Sequence, residues 1–161
     1  MRPDSSGSYG SFEVWRGQRH VGTVHWGMLG RHNAENALAA IAAARHAGVD
    51  PDAAIEALRS FRGVRRRLEV RGNVDGVVVY DDFAHHPTAI MNTLNGVRAR
   101  RRGGRVFAVL EPRSNTMKLG THKLAMAESL RGADRVFMYQ SPEIKWDVAD
   151  AMRPLGDLAS V

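Results

Sequence analysis

Apolar and polar positions alternate along "SFEVWRGQRHVGTVHW", residues 11 to 26, on either side of Gly17. Period two predicts a β-hairpin, with the glycine at the turn. The period then lengthens. From Asn33 to Ala47, the residues Ala34, Ala37, Leu38 and Ile41 recur at helical spacing, and Gly48 marks the stop. Asp50-Pro51 supplies a cap and a first-turn proline for a second helix, with Ile55, Leu58 and Phe61 as its buried stripe and Gly63 as its end. Residues 1–10, rich in Ser and Gly, read as a flexible lead-in.

Past Gly63 the pattern changes again. "RLEVRGNVDGVVVYDD" predicts two strands around an Asn73–Gly76 turn, the second of them, Val77–Tyr80, apolar throughout as a strand buried on both faces would be. Pro87 opens a helix with Ile90, Leu94 and Val97 inward, ending at Gly103-Gly104. A buried strand at 105–110, a helix at 123–130, a strand at 135–140 and a last helix near Glu143–Met152 follow. Strand starts at 77, 106 and 136 are spaced by about 30 residues, the length of a βαβ unit. The expected fold class is therefore α/β: a hairpin with two helices, then a Rossmann-like, mostly parallel domain. The boundary falls near Gly63 to Arg71, giving domains 1–66 and 67–161. The C-terminal domain is expected to be incomplete, because the tail "RPLGDLASV" ends where another strand should follow.

Composition adds limits. At 161 residues, 43% hydrophobic and 25% charged, the chain suits a soluble globular protein. No apolar run reaches the ~20 residues of a membrane span, and the N-terminus lacks a secretory segment. Cysteine is absent, which rules out disulfides and thiolate metal sites and suits the cytoplasm. The net charge is +6, and only three of the 23 basic residues are lysine. Arginine's planar fork matches phosphates and carboxylates. Its two clusters, Arg62 to Arg71 and Arg98 to Arg105, raise the possibility of a nucleic-acid-binding module, although no RNP, helix-turn-helix or zinc pattern accompanies them. A solvated basic face is the plainer reading, above all for the second cluster, since runs of like charge usually face water.

The densest polar chemistry is in "VYDDFAHHPTAI", residues 79–90. Asp81, Asp82, His85 and His86 follow the carboxyl end of a strand, where open α/β sheets bind ligands. Three readings fit: a carboxylate gripping ribose hydroxyls, a divalent metal on Asp82, His85 and His86, or a helix cap before Pro87. His32 and Asn33 stand at a helix start, and Asn36 lies one turn on, so the two amides share a face and suit an adenine edge. Capping alone also explains Asn33. In "GVRRRLEV", extended backbone would put Arg65 and Arg67 on one side, either toward a phosphate or toward water. "LEPRSNTMKLG" places Arg113, Ser114, Asn115, Thr116 and Lys118 at the same carboxyl edge, with donors for a carboxylate-bearing ligand. The chain has no GxxxxGK[ST] loop, no GxGxxG and no GxSxG elbow.

Together "GRHNAENALAAIAAA", "GVRRRLE", "YDDFAHHPTAI" and "LEPRSNTMKLG", in this order, resemble the Mur ligases of bacterial cell-wall synthesis, from about Phe12 to the C-terminus. "EPRSNTMK" resembles the branch that recycles murein peptide. The resemblance implies an ATP- and Mg²⁺-dependent amide-forming ligase. It would join UDP-N-acetylmuramate to the tripeptide L-Ala-γ-D-Glu-meso-diaminopimelate through an acyl phosphate. Ligation of UDP-N-acetylmuramate to L-alanine is the alternative within the family. On this reading Asn33 and Asn36 lie near the adenine with His32 adjacent, and Arg67 meets the ATP phosphates. Asp82 holds the ribose, His85 stands beside the nucleotide, and Arg113, Ser114, Asn115 and Lys118 bind the peptide. The resemblance also implies parts not found in these residues: a UDP-sugar domain, a phosphate loop, the Mg²⁺ ligands and a modified lysine. The chain is accordingly expected to be a fragment, the tail of the central ATPase domain plus much of the C-terminal domain, inactive by itself.

Overall fold

Residues 11–25 form the expected hairpin, β2 (Ser11–Arg16) and β3 (Arg19–His25), in the computed structural model, which describes residues 1–3, 5, 7–100 and 103–161. Gly17, at φ 58°, takes the first position of the two-residue turn, where a positive φ matches the twist of the strands. The described residues of the lead-in are more ordered than their composition predicts. β1 (Arg2–Pro3) pairs antiparallel with β2, and Arg2 stacks its guanidinium 4.5 Å above the Trp15 ring.

Helix α1 (Arg31–His46) begins two residues before the sequence pattern predicts, after Gly30. α2 (Pro51–Arg59) is capped as expected, the Asp50 carboxylate accepting the Asp52 N–H at 2.9 Å. Phe12, Val14, Val24, Ala34, Ala37, Ile41 and Ile55 form one buried cluster, so both helices and the hairpin close over a shared core. Gly22 permits this approach: a Cβ there would stand 3.0 Å from Ile55 Cδ1. Phe61 is a correction. It lies past the helix end and is 41% exposed rather than part of the stripe.

β4 (Glu69–Val74) and β5 (Val77–Asp81) form the second hairpin, turning through Asp75 and Gly76, both at positive φ. Here the parallel-sheet expectation fails. β5 pairs antiparallel with β4 in a two-stranded sheet, and Val77 and Val79 are 66% and 55% exposed. A continuous valine run reads the same whether a strand is buried on both faces or sits in a narrow ribbon. The compact units are Met1–Asp82 and Phe83–Val161, so by packing this hairpin counts with the first unit.

The second unit contains α3 (Pro87–Arg100), β6 (Phe107–Leu110), α4 (Asn115–Lys118), α5 (Lys123–Leu130), β7 (Arg135–Met138), α6 (Val148–Met152), a 3₁₀ turn (Arg153–Leu158) and β8 (Ala159–Ser160). Its sheet is three-stranded and parallel in the order β6-β7-β8, so the α/β class holds. The third strand is β8, drawn from the tail, and not Val77–Tyr80. β6 and β7 are buried on one face only: Val136 and Met138 are covered, while Phe107 and Val109 are exposed. Ile90, Leu94 and Val97 of α3 are buried as predicted. The last helix starts at Val148 instead of near Glu143, because Asp147 caps it by accepting the Asp150 N–H at 2.9 Å.

Of the second arginine cluster, Arg101 and Arg102 lie outside the described residues. Arg98 acts as a staple, donating to Gly132 O at 2.8 Å and pairing with Asp134 at 2.6 Å. Asp134 in turn accepts the Val106 N–H at 2.6 Å, fixing the start of β6. Among the described residues no helix is long and apolar enough to cross a membrane.

Candidate nucleotide and peptide site

The carboxyl end of β5 and the chain entering β4 meet through hydrogen bonds. Glu69 is in register with Asp81. One residue on, Asp82 Oδ2 accepts the Leu68 N–H at 2.8 Å. Arg66 Nε lies 3.5 Å from Asp81, and the Arg66 N–H donates to Glu69 Oε2 at 2.9 Å. These bonds hold residues 65–68 in a turn, with Arg66 (φ 58°) and Leu68 (φ 50°) both left-handed. Non-glycine residues at such angles persist only where surrounding contacts over-determine them, and they gather at functional sites. The segment is therefore not extended, and the expected pairing of Arg65 with Arg67 on one side does not apply. Arg67 sits between the two strained residues, next to the peptide group that Asp82 holds.

His32, at the start of α1, belongs to the same neighbourhood. Burial pushes its imidazole below the usual pKa of 6.5, while the charges of Asp82 and Glu35 raise it and that of Arg67 lowers it. The Asp82 carboxylate and the Arg67 guanidinium thus both lie within electrostatic reach of the His32 imidazole in the first unit. These groups suit a nucleoside phosphate: a carboxylate that can accept from ribose hydroxyls and a guanidinium that can donate to phosphate. Asn33 is partly engaged, its amide donating to Leu29 O at 2.7 Å and bracing the helix start. Asn36 is exposed one turn along. Asp81, through Arg66, supports the turn.

The depressed His32 pKa has a signed consequence. Its neutral form is favoured in the native state, so this contribution to stability is complete above 6.5 and is lost as pH falls through the lowered native value. Thermal melts between pH 8 and 5 are expected to show a shallower pH slope for His32→Gln than for the wild type. Equal slopes would show that His32 titrates as if in water.

In the second unit, His85 Nδ1 lies 3.0 Å from Phe83 O, and its ring stands 5.2 Å from the Phe83 ring. His86 caps α3, its Nδ1 accepting the Thr88 N–H at 3.2 Å, and its ring meets His122 edge-on at 4.5 Å. Among the described residues no group of three His, Asp or Glu side chains is placed to hold a metal ion.

The loop after β6 contains a helical turn that its polar sequence conceals. Ser114 caps α4 by accepting the Met117 N–H at 3.3 Å and contacts Thr116 Oγ1 at 3.2 Å. Arg113 and Asn115 are exposed, and Arg113 Nε is 3.7 Å from Glu111. Lys118 pairs with Glu143. The Trp146 indole N–H donates to Met117 O at 2.7 Å, and the Lys145 N–H to Lys118 O at 3.1 Å. Sequence reasoning missed Glu143, Lys145 and Trp146. Trp146, the lone tryptophan of the second unit, was the available signal, since an indole N–H that is buried needs a partner.

A family model described as Mur ligase, glutamate ligase domain, matches residues 66–161. Over 140 residues the chain is 53% identical to the UDP-N-acetylmuramate–L-alanyl-γ-D-glutamyl-meso-2,6-diaminoheptandioate ligase of Haemophilus influenzae and 55% identical to that of Escherichia coli, in each case covering 86% of this chain and 31% of the relative. Among solved structures, the murein peptide ligase of Psychrobacter arcticus matches with a TM-score of 0.62 at 40% identity, over 93% of this chain and 32% of that one. The UDP-N-acetylmuramate–alanine ligase of Thermotoga maritima matches with a TM-score of 0.77 at 28% identity, over 99% of this chain and 35% of that one. The chain thus spans about a third of the length of the relatives it matches.

Proposed function

Because the chain belongs to the Mur ligase family of ATP-dependent, C–N bond-forming ligases, we propose that it supplies the nucleotide- and peptide-facing part of a cytoplasmic ligase that joins UDP-N-acetylmuramate to L-Ala-γ-D-Glu-meso-diaminopimelate. Residues 1–66 would end the central ATP-binding domain, and 67–161 would belong to the C-terminal domain. Identity above 50% to two ligases named for this tripeptide is the observation that carries the substrate assignment.

The chain's own part in the reaction is positioning and charge compensation. Asp82, already fixed by the Leu68 N–H, accepts the ribose hydroxyls. Arg67 neutralises phosphate charge, held in place by the braced turn around it. His32 stays neutral beside them and donates or accepts as the phosphate requires, and the family resemblance assigns Asn33 and Asn36 to the base and His85 to the nucleotide. ATP supplies the phosphoryl group that activates the muramate carboxylate, with Mg²⁺ as its counter-charge. No Mg²⁺ ligands are assigned among these residues. Arg113, Ser114, Asn115 and Lys118 take the peptide side, with Ser114 shaping the turn.

A chimera tests this reading. The aligned segment of the Escherichia coli relative is replaced by this chain, folding is checked by circular dichroism, and ATP-dependent joining is measured with tripeptide and with L-alanine. Joining of the tripeptide is expected. A folded chimera that joins L-alanine instead moves the assignment to the other branch of the family, and one that joins neither overturns it.

A further inference from the structure

Lys118 is already occupied by a carboxylate of the chain itself. Glu143 and Lys118 form an ion pair in which the glutamate side chain is 66% exposed and the lysine 30%. The contact is delivered by backbone. Ser141–Ile144 is a turn closed by the Ile144 N–H on Ser141 O at 3.1 Å, with Pro142 and Glu143 at its centre. The residues just after it are locked to α4: the Lys145 N–H bonds Lys118 O, the Trp146 indole bonds Met117 O, and Ile144 and Trp146 are buried. Glu143 is thus held over Lys118 by neighbours that keep their own bonds whether or not the ion pair forms.

An exposed pair of this kind contributes little to stability. What it does is satisfy an ammonium that would otherwise face solvent beside Arg113. The guanidinium of Arg113 adds to the Lys118 ammonium in holding the Glu143 carboxyl below its usual range. The Glu143 carboxylate therefore lies in the field of two cations, one of which, Arg113, also faces Glu111 at 3.7 Å.

Resting on the proposal that the 113–118 loop receives the peptide, the geometry points to Glu143 as an internal stand-in for a peptide carboxylate. It holds Lys118 and gives way when a carboxylate-bearing peptide arrives. A ligand without that carboxylate cannot make the exchange and leaves Glu143 in place. Glu143 is in this sense a specificity-determining residue that needs no contact with the bound peptide.

The test is calorimetric binding of L-Ala-γ-D-Glu-meso-diaminopimelate to the 161-residue chain, beside the same tripeptide with its carboxylates amidated. Glu143→Gln is expected to tighten the acidic tripeptide roughly two- to fivefold and leave the amidated one unchanged. Lys118→Met is expected to weaken the acidic tripeptide roughly tenfold. If Lys118→Met weakens binding but Glu143→Gln does not tighten it, the stand-in fails and the loop assignment survives. Wild type and Lys118→Met that bind alike, including not at all, overturn the loop assignment and the inference with it. Urea midpoints are measured in parallel. A large loss in Glu143→Gln would make the pair a structural staple and also overturn the inference.

Discussion

Gly120→Ala is expected to destabilise the second unit by about 2–4 kcal/mol, adding a left-handed penalty to an overpacking one. Gly120 has φ +75°, and a Cβ there would stand 2.7 Å from Trp146 Cδ1 and 2.9 Å from Cγ. The indole cannot retreat cheaply, since it is 8% exposed and its N–H is committed to Met117 O. Any shift that admits the methyl breaks that bond or opens a void around a large ring. The damage is local to the joint between α4 and residues 143–146, so the Lys118–Glu143 pair should be lost with it. Urea denaturation followed by tryptophan fluorescence measures the effect. A variant within about 0.5 kcal/mol of wild type, the usual scatter of surface substitutions, would mean that Trp146 is not packed against Gly120 as described.

The second large effect concerns Asp82. Asp82→Ala leaves the Leu68 N–H without its acceptor in a partly buried place, at a cost of about 1–3 kcal/mol. The turn that holds Arg66 and Leu68 at positive φ then loses one of its side-chain tethers, with those from Glu69 and Asp81 remaining. ADP affinity is expected to fall roughly tenfold to a hundredfold, as for a lost charge-assisted contact. Asp82→Asn separates the two roles. Its amide oxygen still accepts the Leu68 N–H, so stability should stay near wild type while ADP binding drops. The His32 imidazole provides an independent readout: without the Asp82 charge, which raises it, its pKa should move lower still. Unchanged ADP binding in Asp82→Asn would remove Asp82 from the ribose site.

Much of the local architecture was legible in the chain. The Asp50-Pro51 cap, the turn at Gly17, the turn expected over Asn73–Gly76 and formed at Asp75-Gly76, and the inward stripe of α3 are all set by residues within a few positions of each other. Such features depend on φ preferences and on near-neighbour hydrogen bonds, which the sequence states directly. The family could also be read from four motifs in register. The sheet could not. Valines 77–79 carry the same pattern in an exposed antiparallel ribbon as in a buried parallel strand, and only long-range pairing decides between them. The true third strand, Ala159–Ser160, is too short and too mixed to announce itself.

The candidate site divides in the same way. Sequence alone picked out Asp82, Arg67 and His32 as residues whose chemistry suits a nucleotide, because type and motif are properties of the chain. That an extended Arg65–Arg67 alternation gives way to a strained turn tethered by Asp82 and Glu69 was decided by the closure of the β4–β5 hairpin. That Lys118 meets Glu143 was decided by a turn 25 residues away, anchored through Trp146 and Lys145. Side-chain identity fixes what a group can bind. Whether it is already bound depends on which distant backbone the fold brings beside it, and that is set by the burial of the whole core and not by any local stretch.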